Sequence, residues 1–422
     1  MDGGTSAFMM VAAMLVLLMT PGLAFFYGGL SRRKNVGNTM CMVMVVIGIV
    51  AVTWTAVGWS LAYGGDGDNP VFGGFDQLML FGNVEALLIE AEAPGEALYP
   101  SLVDVAFQMA FCMITCAIIT GGVAGRMKFG AVCAFLTVWA VVVYPPLAHM
   151  VWGGEGSLIG DQIGALDFAG GDVVHISSGL TALVLCILCG RRKGFGIMGY
   201  RPHNVPFVAL GAALLWFGWF GFNAGSAFAP DGVAALALVN TVCASGAAVI
   251  SWMAVERILV KKPTLVGGCT GLVAGLVVIT PAAGFVEPWA AVVMGLAVSP
   301  VCYAAISHAK RAFGYDDALD AFGCHCVGGV LGGVLTGIFC VPELSWTEAG
   351  GLIYTGDFSL LGSQILGIVV TIVFVGVLDL VLGLILKACF KGSLRVSDEA
   401  EALGLDVSEH GESAYPAYVG LD

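Results

Sequence analysis

Two histidines inside long apolar runs are the residues of this chain with the clearest potential for chemistry. His175 lies in DFAGGDVVHISSG, residues 167–179, and His325 lies in DAFGCHCVGGVLGG, which begins at Asp320. An ionisable side chain within an apolar segment of this length is rare and is a candidate functional group. Apolar surroundings favour the neutral imidazole, and two neutral rings can share a hydrogen bond in which one donates and the other accepts. We therefore expect the two rings to act as a pair.

The composition shows what kind of element must hold these histidines. Of the 422 residues, 58% are hydrophobic and 11% are charged, whereas a soluble domain has about 25% charged residues. A helix needs about 20 apolar residues to cross the hydrocarbon core of a bilayer. The sequence therefore predicts an all-α integral membrane protein with eleven transmembrane helices. The predicted spans are 7–31, 39–63, 101–125, 129–151, 172–190, 206–227, 233–256, 265–281, 288–308, 323–341 and 359–386.

The positive charges predict the orientation of these spans. The 17 Lys and Arg residues fall in clusters that follow the odd-numbered spans. The clusters are Arg32–Lys34, Arg126 with Lys128, Arg191–Lys193 with Arg201, Arg257–Lys262, Lys310 with Arg311, and Lys387–Arg395. Because Lys and Arg concentrate in cytoplasmic loops, the N-terminus is expected outside and the C-terminus in the cytoplasm.

The net charge of −13 comes from acids in the predicted outer loops and near the C-terminus. The outer acids are Asp66, Asp68, Asp76, Glu85, Glu90, Glu92 and Glu96. Solvated loop charge explains most of this excess, and a negative outer mouth would raise the local cation concentration modestly.

A basic connector after span 5, RRKGFGIMGYRPHN, separates two groups of five spans. Repeats with an odd number of spans must have opposite orientations in the membrane, as in the inverted repeats of many transporters. We expect pseudo-repeats at about 1–195 and 196–345, an extra span at about 359–391 that completes a transmembrane domain 1–391, and a cytoplasmic tail 392–422. Spans 5 and 10 then become equivalent, and their histidines meet near the midplane.

Metal binding and enzymatic catalysis are the other chemistries to consider. Cys324, His325 and Cys326 are potential ligands, but adjacent helical residues point about 100° apart and cannot readily chelate one ion. The 13 cysteines lie mostly within predicted spans, which argues against a disulfide framework. No nucleophile–base pair stands outside the histidines. We expect no metal, no cofactor and no enzyme.

Several motifs resemble the ammonium transporter family (Amt/MEP, with the Rhesus proteins as more distant relatives), and most closely its bacterial Amt branch. They are DFAGGDVVH, AHMVWGG at 148–154, GWFGFNAGS at 218–226, FYGGL in span 1, and GLDVSEHGESAY at 404–415. The resemblance covers essentially the whole chain. It implies an ammonium transporter of the inner or plasma membrane that serves nitrogen metabolism.

The resemblance also implies roles for individual residues. Trp152, Phe111 and Ser226 would bind ammonium at an outer site, where an aromatic face attracts the cation and the hydroxyl accepts a hydrogen bond. Phe111 and Phe222 would form a gate below that site. Below the gate, the matching pair of histidines, His175 and His325, would line a hydrophobic pore for ammonia and relay a proton. Phe107, one helical turn before Phe111, is expected on the same helix face.

Four acidic residues need separate explanations. Asp167 is expected to accept hydrogen bonds from helix-end amides and, by resemblance, to support the outer site without touching the ion. Asp320 would occupy the related place in the second half. Asp172 stands three residues before His175, near the same helix face, where relatives usually have Ser or Thr, so it could alter proton or cation affinity. Asp379 should face protein, for example a neighbouring subunit.

The resemblance implies partners and leaves two alternative functions. Members form homotrimers surrounded by membrane lipids, with one pore per subunit, and bind PII-type signalling proteins at the cytoplasmic face. The tail and the connector Arg191–Asn204 are the expected contacts, and no nucleic acid is expected. A sensor would bind ammonium with little flux, whereas a Rhesus-type channel would pass ammonia or carbon dioxide without charge. Trp152 and Ser226 count against the Rhesus type.

Overall fold

The computed structural model describes residues 2–65, 69–92, 98–197, 199–347 and 349–415. Within these ranges, eleven helices are long and apolar enough to cross a membrane, and each overlaps one predicted span. Spans 1 to 11 are Gly3–Leu30, Arg33–Tyr63, Ser101–Val123, Phe129–Trp152, Gly171–Cys189, Val205–Gly225, Gly232–Leu259, Leu265–Ala282, Pro288–Phe313, Phe322–Phe339 and Ser359–Cys389. The prediction of an all-α protein with eleven spans is confirmed.

Short helices complete the described chain. Asn83–Glu92 forms the surface helix of the long loop after span 2, and the tail contains Asp398–Leu403 and Leu405–His410. Other single turns lie in the connecting loops at Leu78–Leu80, Leu158–Gln162, Pro342–Leu344 and Leu352–Thr355. Three of the acidic loop residues named above, Asp66, Asp68 and Glu96, lie outside the described residues.

Glycines allow spans 1 and 6 to pack backbone against backbone. A Cβ atom on Gly211 would lie 2.2 Å from the amide nitrogen of Phe26, and one on Gly29 would lie 2.6 Å from the amide nitrogen of Val208. No side chain fits in these gaps. Since lipid offers no hydrophobic drive for helices to associate, such close approach through small residues is a main source of packing energy in membranes.

Spans 5 and 10 cross at two further glycines, each four residues after a histidine. A Cβ on Gly179 would lie 2.4 Å from the amide nitrogen of Cys326, and one on Gly329 would lie 3.2 Å from Cβ of His175. Gly179 therefore lets span 10 approach span 5 closely next to His325, and Gly329 lets span 5 approach span 10 closely at His175. This reciprocal packing is what an inverted repeat would produce, although the repeat boundaries themselves stay a prediction.

Span 11 runs parallel to span 5 along one side. Cβ positions at Gly367, Gly376 and Gly383 lie 3.9 Å from Asp172, 3.7 Å from Leu180 and 2.3 Å from Leu188, respectively. The residue numbers of the contacting pairs increase in the same direction along both helices, so the two spans are parallel, as expected for two odd-numbered spans. Further along span 11, Asp379 is fully buried and accepts a hydrogen bond from Nε1 of Trp139 in span 4 at 2.9 Å. Asp379 thus faces protein, as predicted, but the protein is its own chain.

The basic loops and the tail meet on one face. Lys34 Nζ donates to the carbonyl of Glu401 at 2.9 Å, and Lys128 Nζ donates to the carbonyl of Ser393 at 2.8 Å. The backbone amide of Lys193 donates to Glu401 Oε1 at 2.8 Å. The loops after spans 1, 3 and 5 therefore lie on the same side as the tail, as the charge pattern requires.

Candidate functional site

An outer cavity of about 380 Å³ lies at the end of the bundle opposite to the basic loops. Trp152, Phe111 and Ser226, the predicted ammonium-binding residues, all line it. The rings of Phe111 and Trp152 meet edge to face, with centroids 6.2 Å apart. Ser226 Oγ donates to the carbonyl of Phe222 at 2.9 Å, which leaves its lone pairs available to accept a hydrogen bond.

Two phenylalanines close the floor of this cavity. The rings of Phe111 and Phe222 stack with centroids 4.0 Å apart and an interplanar angle of 14°. Both side chains are almost completely buried. Phe107 contacts Phe111 at 4.8 Å between centroids, so it lies on the predicted helix face. A hydrated ion cannot pass this stack unless the rings move.

Asp167 organises the segment that leads from the outer cavity to the first histidine. Its Oδ1 accepts from the amides of Gly170 and Gly171 at 2.8 and 2.6 Å, and its Oδ2 accepts from Asp172 and Val173 at 2.8 and 3.4 Å. These are otherwise unpaired amides at a helix start. The chain can turn back on its own carboxylate because Gly170 has a φ of 115°, a conformation that favours glycine.

Asp167 also holds the outer site through its backbone. Nε1 of Trp152 donates to the carbonyl oxygen of Asp167 at 2.8 Å. Asp167 thus positions the indole of Trp152 through its carbonyl oxygen and the first turn of span 5 through its carboxylate.

His175 and His325 meet in the interior, as predicted. Their Nδ1 atoms are 3.4 Å apart, and both side chains are at least 95% buried. The His175 ring lies below the phenylalanine stack, with its centroid 6.1 Å from that of Phe222. Each histidine lies in a π-helical turn, Gly171–Ile176 or Phe322–Cys326. Such turns are rare and occur frequently at functional sites.

Two residues beside His175 were missed by sequence reasoning. The His175 ring stacks on Trp219 with centroids 5.3 Å apart, and its Nε2 lies 3.4 Å from Oγ1 of Thr280. Trp219 stands within the GWFGFNAGS motif, which could have indicated it. Thr280 lies at the end of span 8, where nothing in the local sequence indicates the contact.

The contacts of Thr280 select the tautomers of the histidine pair. Thr280 Oγ1 donates to the carbonyl of Leu276 at 2.8 Å and accepts from Nε1 of Trp219 at 2.9 Å. Its remaining lone pair can accept from Nε2–H of His175. Nδ1 of neutral His175 is then an acceptor, and His325 donates to it from Nδ1–H. The unprotonated Nε2 of His325 remains for a further partner.

A small inner cavity of about 70 Å³ continues beyond the histidines towards the basic face. His325, Tyr27, Val266 and Asp320 are among the residues that line it. The outer cavity, the phenylalanine stack, the histidine pair and the inner cavity therefore follow one another through the bundle.

The structure corrects the prediction for Asp172. In an α-helix, residues three apart lie near one face, but the π-helical turn at Gly171–Ile176 changes this relation. Asp172 Oδ2 lies 3.9 Å from the Cβ position of Gly367 in span 11, whereas His175 faces span 8. Asp172 Oδ1 is buried without a hydrogen-bond partner in the described ranges. Asp172 and His175 therefore do not share a face.

The structure also corrects the placement of Asp320. The residue that repeats the arrangement of Asp167 is Asp317, whose carboxylate accepts from the amides of Ala321 and Phe322 at 3.2 and 2.8 Å. Asp320 instead forms a salt bridge with Lys310 at 2.7 Å. The sequence contains both acids before span 10, and only the turn geometry decides which one caps the helix.

Cys324 and Cys326 flank His325 as potential metal ligands. Among the described residues, no group of three His, Cys, Asp or Glu side chains could hold a metal ion. Beside His325, the backbone carbonyl of Cys324 accepts a contact from Cys302 Sγ at 3.8 Å, and the backbone and Cβ of Cys326 pack against Gly179.

The fold and the order of its cavities and rings define a multi-pass helical membrane protein in which the phenylalanine stack and the histidine pair lie between an outer and an inner cavity of one chain. Residues 7–415 match the Ammonium Transporter Family. The chain is 46% identical to an ammonium transporter of Bacillus subtilis (strain 168), over 98% of this chain and 99% of that one. It is 47% identical to an ammonium transporter of Aquifex aeolicus (strain VF5), over 98% and 94%.

Solved structures match as well. Mep2 of Saccharomyces cerevisiae superposes with a TM-score of 0.87 and 32% identity, over 100% of this chain and 93% of that chain. A structure titled "Sensor Amt Protein" superposes with a TM-score of 0.86 and 29% identity, over 96% and 98%. The chain belongs to the ammonium transporter family, whose members are multi-pass proteins of the cell membrane and not enzymes.

Proposed function

We propose that this protein captures ammonium in the outer cavity, removes a proton there, and conducts ammonia past His175 and His325. The observation that carries the proposal is the alignment of groups along one path. Trp152 and Phe111 line the cavity, Phe111 stacks on Phe222 at 4.0 Å, and Phe222 lies 6.1 Å above His175. Each step of the transport can be assigned to one of these groups.

Capture rests on the aromatic faces and the hydroxyl of the outer cavity. A cation within about 6 Å of an indole or phenyl centroid gains roughly 0.5–2 kcal/mol, and more when water is excluded. Trp152 and Phe111 provide two such rings, and Ser226 provides an oxygen that accepts from N–H. Asp167 supports the site through its backbone carbonyl, which accepts a hydrogen bond from Trp152. Its carboxylate does not bind the ion in this proposal, since both carboxylate oxygens accept hydrogen bonds from backbone amides.

Selectivity arises below the capture site. A bare cation in the interior of a membrane protein costs several kcal/mol, whereas neutral ammonia does not. Ammonium can lose a proton before it passes Phe111 and Phe222, but potassium cannot. The buried path between Phe222 and the histidines therefore excludes potassium.

The proton is proposed to follow through the histidine pair. His175 accepts a hydrogen bond from His325 in the assigned tautomers, and Nε2 of His325 carries no proton. This is the state that an inward proton leaves behind. In the opposite tautomers, Nε2 of His175 takes up the proton from ammonium, Nδ1–H of His175 passes its proton to Nδ1 of His325, and Nε2–H of His325 releases one towards the inner cavity. Reorientation of both rings restores the opposite tautomers without returning the proton. Transport would then carry net charge.

The decisive experiment measures ammonium-evoked current in proteoliposomes on a solid-supported membrane. We expect current with the wild type and loss of current or of its ion selectivity with His175→Ala combined with His325→Ala. His308→Ala is the matched control because His308 lies in span 9, is exposed, and is not among the residues that line the outer or the inner cavity. Wild-type current and selectivity in the double variant would contradict the proposed role of the pair.

A sensor with little flux is the second candidate, and the similarity to a structure titled "Sensor Amt Protein" favours considering it. A sensor would bind ammonium in the same outer cavity. It would give no sustained current in the same assay, so that measurement separates the two functions. A Rhesus-type electroneutral channel would pass ammonia without current but would not need the outer site of Trp152 and Ser226.

We also propose a homotrimer that binds a PII-type protein at the basic face. The two expected contact regions form one surface: Arg395 donates to the carbonyl of Arg191, and His203 Nε2 lies 3.1 Å from Oη of Tyr415. A bound protein could therefore act on the connector and the tail together. Native mass spectrometry would test the trimer, and co-purification with a PII-type protein would test the contact.

A further inference from the structure

His149 is a buried residue whose two ring nitrogens both face backbone carbonyl oxygens. Its Nδ1 lies 2.8 Å from the carbonyl oxygen of Ala62, at the end of span 2, and its Nε2 lies 2.8 Å from that of Asn69, in the outer loop after span 2. A carbonyl oxygen only accepts, so both nitrogens must donate, and a ring with two N–H groups is a cation. Turning the ring over would put carbon atoms there, closer than the roughly 3.3–3.6 Å of C–H···O contacts.

The two carbonyl oxygens, and not a carboxylate, hold this charge. In the part of the chain that the structure describes, no carboxylate oxygen lies within 4.0 Å of either ring nitrogen. The ionisable side chains on the same helix, on the elements packed against it and in the adjoining segments are Tyr144, Tyr63, Asp161, Asp172, His175, Asp76, Glu155 and Asp167. Asp76, Asp161 and Asp167 accept hydrogen bonds from backbone amides instead. Charge-assisted hydrogen bonds of this kind are roughly twice as strong as neutral ones.

The ring joins three segments at the rim of the outer cavity. His149 stands three residues before Trp152 on span 4, and Trp152 lines that cavity. Ala62 is followed by a tyrosine that lines the same cavity. The outer loop continues at Pro70, whose carbonyl accepts from the amide of Leu158 at 2.9 Å, in the loop after span 4. His149 is not among the lining residues, so it acts on the cavity through these segments.

We propose that His149 is a positioning residue of the outer cavity, which clamps the end of span 2 and the outer loop to span 4 while its ring carries two protons. Loss of one proton leaves a lone pair facing a carbonyl oxygen at 2.8 Å, so that this contact becomes repulsive. One of the two segments then moves away, and the rim beside Trp152 loosens. The effect on ammonium capture rests on the proposed function, whereas the clamp itself does not.

Hydrogen–deuterium exchange of the full-length protein in detergent tests the clamp without transport. The reporter is the amide of Leu158, which bonds to Pro70 while the outer loop is held in place. From about pH 5 to about pH 9, the range in which most histidines titrate, we expect the wild type to lose protection of this amide in one step as pH rises, after correction for intrinsic exchange. The loss should be about tenfold, the effect of one charge-assisted hydrogen bond. His149→Gln, whose NH₂ group donates at every pH, should show no step.

Ammonium-evoked current in proteoliposomes measures the consequence for capture. In the wild type, we expect the ammonium concentration for half-maximal current to rise about tenfold as the outside pH passes through the same step. In His149→Gln it should change much less. His308→Gln is the matched control, because His308 is exposed and lines neither the outer nor the inner cavity. This control should keep the wild-type step.

The outcomes separate this inference from the proposed function. No step in the exchange of the wild type, or the same step in His149→Gln, would overturn the clamp. A step that is present in the wild type and absent in His149→Gln would support the clamp even without any ammonium-evoked current, a result that would count against the proposed transport alone. His149→Asn, whose amide nitrogen can take the place of Nδ1, serves as the second variant if His149→Gln does not fold.

Discussion

Asp167→Asn is the substitution for which the structure makes the most quantitative prediction. The carboxylate accepts four backbone hydrogen bonds, two on each oxygen, from residues 170–173. Asparagine keeps one acceptor oxygen and presents an NH₂ group to the other two amides, which are donors themselves. The bonds to Gly170 and Gly171 can survive, whereas those to Asp172 and Val173 are lost.

The energetic cost follows from these lost bonds. A hydrogen bond of normal length to a charged group contributes about 1.5–3 kcal/mol, and a long, weakened one about 0.5–1 kcal/mol. The bond to Asp172 is 2.8 Å long and the bond to Val173 is 3.4 Å long. We therefore expect the variant to lose about 2–4 kcal/mol of folding free energy. The loss is concentrated at the turn that carries His175 and follows the Asp167 carbonyl to which Trp152 donates. We therefore expect a larger effect on transport than on the stability of the whole protein.

Ammonium-evoked current and thermal unfolding in detergent should be measured together. We expect a lower unfolding temperature and a large loss of current in a protein that still folds. Asp231→Asn is a matched control, because Asp231 caps span 7 through the amides of Val233 and Ala234 at an exposed helix end, where Asn and Asp cap about equally well. Wild-type current and wild-type unfolding temperature in Asp167→Asn would refute the reasoning.

Three further substitutions test other parts of the structure. Asp172→Thr removes a buried, unpaired carboxylate oxygen and should raise stability by about 1–3 kcal/mol with unchanged ion selectivity, as checked by unfolding and current. Burial raises the pKa of Asp316, but hydrogen bonds from Arg192 outweigh it and the pKa is lowered overall. Its stabilisation is present above the unfolded pKa of about 3.9 and is lost as pH falls through the lower folded value, so unfolding of Asp316→Asn should depend less on pH in that acid range. Trp139→Phe leaves Asp379 without its indole donor and should cost about 1–3 kcal/mol, part of which Asp379→Leu should restore in the double variant.

Much of the fold is determined by features of the sequence that act locally. A run of about 20 apolar residues must span a bilayer as a helix, because the hydrocarbon core offers no partner for unpaired backbone groups. All eleven predicted spans were confirmed for this reason. The cap formed by Asp167 was predictable too, since its partners lie three to six residues away.

Contacts between distant segments were decided by the tertiary structure. His175 and His325 are separated by 150 residues, and although the inverted repeat predicted that they meet, only the structure shows that their Nδ1 atoms face each other at 3.4 Å. The contact of His175 with Thr280 depends on the packing of span 8, which no local pattern describes. Asp379 accepts a hydrogen bond from Trp139 in span 4. The sequence shows that an acid lies within span 11, but it does not indicate which residue is its partner.

Side-chain direction within span 5 shows the same limit at shorter range. The spacing of Asp172 and His175 predicts one shared helix face only if the helix is α. Gly329 packs within 3.0 Å of the carbonyl of Gly171, measured from its Cβ position, and the segment Gly171–Ile176 adopts a π-helical turn. The sequence by itself determined which residues are available for chemistry and in which spans they lie. The close packing of helices decided where they point, because the backbone there follows its neighbours and not only its own hydrogen-bond pattern.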